Sequence, residues 1–160
     1  MQHSIPKILE VNLELIDVHY YFDEEIEIED IDISISVKAS FDKNNSIIFF
    51  IHIMYILLDD EGEEISLFHT DYLAQSNIED VDWSVSKNIE IEKKHLSHLL
   101  GMSFLMVRGA ISSRLSTNFL AQVRLPVINP MELLDNFLKV KKDKFILTDE
   151  LSGHGEEVIS

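Results

Sequence analysis

Three short clusters in this 160-residue chain hold the residue types that usually do chemistry: "HLSH" with His95 and His98, "FHTD" with His69 and Asp71, and "DDEGEE" at 59–64. Two histidines three apart on a helix share a face and could begin a zinc site. The glutamate that a helical zinc-protease motif requires does not stand between them. His69 and Asp71 are two apart, so on a strand both side chains leave one face and could form a histidine–carboxylate pair. No nucleophile stands at a spacing that would complete the set. The acidic run has the charge of a calcium loop but neither its ligand spacing nor its closing glutamate. There is no phosphate-binding loop, and with no cysteine there is neither a thiolate metal site nor a disulfide. These residues point away from an enzyme, and away from a cofactor or metal, towards a protein that works by binding.

Charge narrows the partner. Residues 1–82 carry 20 Asp and Glu against 3 Lys and Arg, whereas residues 83–160 carry 9 against 10, so the first half holds the whole excess behind the net −16. That field repels phosphate backbones and excludes nucleic acid as the expected partner. It suits a basic protein partner, or simply a solvated outer face. The N-terminal "MQHSIPKILEV" has no basic region followed by a long apolar run, so no signal peptide is expected. The apolar run 47–51 is far short of a membrane span. A cytoplasmic protein without membrane insertion is the expectation.

The elements that must position any binding surface follow from the hydrophobic periods. "LEVNLELIDVHYYF" alternates from Leu9 to Leu15 and resumes on the other parity at Ile16, which predicts a bulge near Leu15. "IDISISVKASF" alternates strictly, so one of its faces should be solvated. "SIIFFIHIMYILL" is nearly continuous and reads as a central strand covered on both faces, and "ISLFHTDYLAQS" gives a fourth strand. The sheet is predicted to be antiparallel, with hairpin-length connections. A proline-free stretch from Lys93 to Thr117 places leucines, Met106 and Ile111 at near-helical spacing. A helix of that length spans about 37 Å, more than one small sheet needs. Gly101, Gly109, Ser112, Ser113 and Ser116 thread it with small side chains. That combination fits packing against a second copy, and equally a helix lying along its own sheet.

The most telling stretch is "LPVINPMELLDNFL" at 125–138. Pro126 forces Leu125 towards an extended conformation. Asn129 is a good N-cap, Pro130 falls at the first helical position where its missing N–H is harmless, and Glu132 follows three residues after the cap. An extended crossing leading into a short amphipathic helix is predicted. The expected fold class is α+β: a four-stranded antiparallel sheet, a long helix, an extended crossing segment and a short C-terminal helix. Residues 1–148 would form one domain and 149–160 an acidic, disordered tail.

This order of elements resembles the SecB family of export chaperones. The residues that carry the likeness are "FLMVRGAISSRLSTNFLAQVRLPVINPMELLDNFL" at 104–138. Arg108, Ala110 and Ile111 fit the family's helix run, with Phe104 for its aromatic residue, and Pro126 and Val127 fit the end of its crossing. Leu105 stands where the family has a helix proline. The resemblance implies a tetramer, a dimer of dimers, with Gly101, Met102, Leu105, Gly109, Ser112, Ser113 and Ser116 on the assembly helix. It implies unfolded polypeptide clients held in an apolar groove, for which Phe119, Leu120, Val123, Leu125, Phe137 and Leu138 are the candidates. Delivery to the SecA motor would use an acidic face, to which Asp23 and Glu24 would belong. A dedicated adaptor or antitoxin-type chaperone with one specific partner is the alternative reading.

Overall fold

In the computed structural model, β1 (Ile8–Tyr20), β2 (Ile31–Asp42), β3 (Ser46–Leu58) and β4 (Glu64–Ile78) form one antiparallel sheet in the order β1-β4-β3-β2, with β7 (Glu157–Ile159) outside β2. The structure describes residues 8–20, 31–42, 46–58, 61–78, 88–117, 119–123, 125–138, 144–148 and 157–159. β2, β3 and β4 follow one another as neighbours, but β1 lies beside β4 at the far side of the sheet. The connections are therefore not all hairpins, as the sequence reading expected; the four strands make a Greek key. The predicted bulge is present: the β1–β4 register shifts between Leu15 and Asp17. It keeps Leu13, Leu15 and Val18 all against the core despite the change of parity.

β3 is central, between β4 and β2, yet among the described residues only one of its faces is closed. Ile47, Phe49, Ile51, Ile53 and Tyr55 are buried, while Ile48, Phe50, His52 and Met54 between them are half-exposed. The continuous apolar run thus alternates in burial after all, because cover lies on one side. The tail also departs from expectation. Glu157–Ile159 pairs with β2 in the register Ile33 to Ile159 and Ile35 to Glu157. Without it the outer edge of β2 would present a row of backbone donors and acceptors to solvent, and a short strand satisfies them.

The closed face is covered by α1 (Lys93–Arg114), which lies against β1, β3 and β4, and by a π-helical turn at Leu134–Leu138, which lies against β2. Leu96, Leu99, Leu100, Phe104, Val107 and Ile111 form the buried stripe of α1. β5 (Asn88–Glu92) runs straight into this helix and pairs with β6 (Lys144–Thr148) in a separate two-stranded sheet. After α1 come a 3-10 turn at Phe119–Gln122, an extended run at 125–129 and α2 (Pro130–Leu133). As predicted, the Asn129 side chain caps α2 by accepting from the Met131 amide at 2.9 Å, with Pro130 just inside.

Two helix glycines separate cleanly. A Cβ at Gly101 would lie 2.8 Å from Cγ of Pro130, so Gly101 is small because α2 begins against it. A Cβ at Gly109 would meet nothing within 4 Å among the described residues. Gly109→Ala should therefore gain about 1 kcal/mol of helix propensity. Gly101→Ala should lose about 1 kcal/mol net, because the rigid proline ring must move. Urea denaturation of both variants checks the opposite signs through midpoint shifts at unchanged m value.

Candidate functional site: a cleft between α1 and the crossing segment

The chain from Leu125 to Asp135 runs antiparallel to α1 and meets it at three points. The Arg108 guanidinium donates through Nε to the Leu125 carbonyl at 3.1 Å. Pro130 packs against Gly101, and the Lys93 ammonium pairs with the Asp135 carboxylate. From the sheet side, the Tyr55 hydroxyl donates to the Val123 carbonyl at 3.0 Å. The Tyr55 ring stands edge-on to Phe68, with centroids 5.5 Å apart, and is 1% exposed. Two of these contacts, from Arg108 and Tyr55, satisfy backbone carbonyls of a stretch whose prolines supply no donor.

Between those contacts α1 and the crossing segment do not close. They leave a cleft of about 530 Å³ with Phe104, Met102 and Ile128 among its lining. Leu105 on the helix and Val127 on the crossing segment also line it, and they are 61% and 80% exposed. Met131, at the start of α2, is 38% exposed. Large apolar side chains open to water on both sides of one cleft are what a binding surface for apolar groups requires. The polar lining among the described residues is Lys94, Ser97, His98 and Arg108, with no carboxylate among them.

The sequence-predicted residues fall into three groups. Met102 and Leu105, assigned to an assembly helix, line this cleft, and so does Gly101. Gly109, Ser112, Ser113 and Ser116 are exposed on α1 and are not among the described lining residues. Of the six groove candidates, Leu120 and Leu125 are in the closed core at 0% and 4% exposure, and Val123 is packed against that core. Leu120 and Val123 precede the crossing segment and Leu125 opens it, and this part of the chain is held against the core, where Tyr55 and Arg108 bond the Val123 and Leu125 carbonyls. The side chains of Phe119, Phe137 and Leu138 lie outside the described residues, as do Asp23 and Glu24. Sequence reasoning missed Val127, Ile128 and their flanking prolines, and on the helix Phe104, Lys94, Ser97, His98 and Arg108, as lining. On the helix the signal was the spacing of Lys94, His98, Met102 and Leu105 along one helical stripe beside the buried one.

The histidine and carboxylate candidates fall in two separate places, one on the sheet and one on α1. His69 and Asp71 do share a face of β4, as their spacing predicted, but Asp71 pairs with His52 directly across on β3. The His69 ring lies 5.8 Å from that of His52. His95 approaches Glu92 at 3.9 Å, and His98 is exposed at the cleft. Among the described residues no three His, Cys, Asp or Glu could hold a metal together. No helix among them is long and apolar enough to cross a membrane.

Tyr55 provides a measurable handle on the crossing segment. Burial pushes its phenol up to about 12, whereas an unfolded chain ionises near 10. A raised folded value means its contribution is complete below pH 10 and is lost as pH rises from 10 towards 12. Stability should fall over that window in the native sequence. Tyr55→Phe should remove that fall and cost about 1 kcal/mol at neutral pH through the orphaned Val123 carbonyl. Denaturation midpoints at several pH values, beside the phenolate absorbance of both proteins, check it.

Comparison with known protein families, characterised proteins and solved structures finds no match to this chain.

Proposed function

We propose that this protein is a SecB-like chaperone that holds unfolded polypeptide segments in the cleft between α1 and the crossing segment. The observation that carries the reading is the pair of exposed apolar lips, Leu105 and Val127, facing one open cleft. Covering the exposed parts of these two side chains is worth about 1–2 kcal/mol each. One cleft alone therefore holds a segment at about millimolar affinity once ordering costs are included. Firm holding requires several clefts acting on one client, where linkage raises the apparent affinity by orders of magnitude.

Assembly of several copies would meet that need, and two features favour it. β1 is the terminal strand of its sheet on one side among the described residues. The outward side of α1 carries the open Gly109 beside Met106, Ser112 and Ser113, all exposed. A homo-oligomer, a tetramer arranged as a dimer of dimers, is the proposed working form. Its clients would be preproteins or other unfolded chains, with onward transfer to SecA or another basic partner part of the same proposal. The chemistry is reversible burial, with no catalysis.

The test combines light scattering with suppression of aggregation. The native chain should form an oligomer and keep several unrelated unfolded clients soluble. Leu105→Asp combined with Val127→Asp should leave the circular dichroism unchanged, since both residues are exposed, and reduce suppression at least about tenfold. A native chain that is monomeric and leaves every client to aggregate overturns the proposal. Capture of one folded partner alone would favour the adaptor reading instead.

A further inference from the structure

The cleft has a charge opposite to that of the protein. The chain carries a net −16, yet the charged side chains lining the cleft are Lys94 and Arg108, both cationic, with the His98 imidazole between them. Lys94 and Arg108 stand fourteen residues apart on α1, which at helical rise is about 21 Å. Met102, Phe104 and Leu105 lie between them on the same helix, and Val127 and Ile128 on the opposite wall. The surface is thus apolar in the middle and basic towards each end. An extended chain rises about 3.3 Å per residue, so roughly six residues span that distance.

Among the described residues, neighbouring carboxylates do not cancel this pattern. Glu92 lies 3.4 Å from the Lys94 ammonium, but the Lys94 side chain is 71% exposed. A pair that open is weak and leaves the cation able to meet another anion. Asp135 is taken up by Lys93. Glu132 is exposed on α2 and is not among the lining residues. Arg108 uses its Nε for the Leu125 carbonyl, so a ligand would meet the terminal nitrogens of the same guanidinium.

Building on the proposed client holding, we propose that the cleft selects extended segments in which a few apolar residues are flanked on both sides by carboxylates. Apolar residues between acids would seat on Leu105 and Val127 while the flanking carboxylates meet Lys94 at one end and Arg108 at the other. Lysine-flanked segments would meet like charge there and be disfavoured. At about 0.1 M salt the Debye length is about 10 Å, so acids elsewhere on the protein are screened while contact pairs in the cleft persist.

The experiment titrates isotope-labelled full-length protein with three synthetic peptides that share one leucine-containing centre and differ only in flanking aspartates, serines or lysines. Chemical shifts at Leu105 and Val127 report the cleft. The aspartate-flanked peptide should bind at least about fivefold tighter than the lysine-flanked one at about 0.1 M salt, with the serine peptide between. Lys94→Glu combined with His98→Glu, both exposed and outside the core, should reverse that order. Equal affinity for all three, or tighter binding of the lysine peptide, overturns the selectivity and leaves client holding standing. No shift with any peptide overturns both.

Discussion

The structure depends on how a proline-bearing segment that cannot hydrogen-bond to itself is held along a helix. Residues 125–129 form neither strand nor helix, and Pro126 and Pro130 contribute no backbone donor. Their neighbours' carbonyls must therefore find partners on other elements. Tyr55 reaches up from β3 to Val123, Arg108 reaches across from α1 to Leu125, and Asn129 turns the chain into α2. A strand added to a sheet would be held by a continuous ladder and leave no space. Point contacts hold the ends and leave the middle apart, and the cleft is that space.

Everything beneath the crossing segment is ordinary close packing. Leu120, Leu125, Leu133 and Leu134 join the α1 stripe over the inner face of the sheet, all nearly inaccessible. The segment therefore divides its own side chains. Leu125 points into the core, while Val127 two residues on is the most exposed large apolar side chain described. Alternation along an extended chain produces this split without any special residue. One segment both seals the core and offers apolar surface to solvent.

Charge follows chain position in the same way. The acids concentrate in residues 1–82, which supply the four long strands, while α1 and the crossing segment come from the half with a net charge near zero. A cleft built only from that second half can be basic in an acidic protein. The long-range field and the local recognition surface then act separately, the first on approach and solubility, the second at contact distance.

Much of this was legible in the sequence because periodicity and capping are local. The slip of parity at Leu15 and Ile16 gave the bulge, the proline-free leucine pattern gave α1 from its first residue to within three of its end, and Asn129-Pro130 gave the start of α2. The four antiparallel strands followed from alternation and turn residues. Tertiary structure alone decided the rest. The strand order is set by which edges meet, and no local pattern says that β1 crosses to pair with β4. The run in β3 could not reveal that only one face would be covered, since that depends on how many elements lie over the sheet. Burial of Leu120 and Leu125, against exposure of Leu105 and Val127, was hidden for the same reason. Apolar character is written in each residue, but whether it ends in the core or at an open cleft is fixed by contacts such as Arg108 to Leu125 and Gly101 to Pro130, made between residues far apart along the chain.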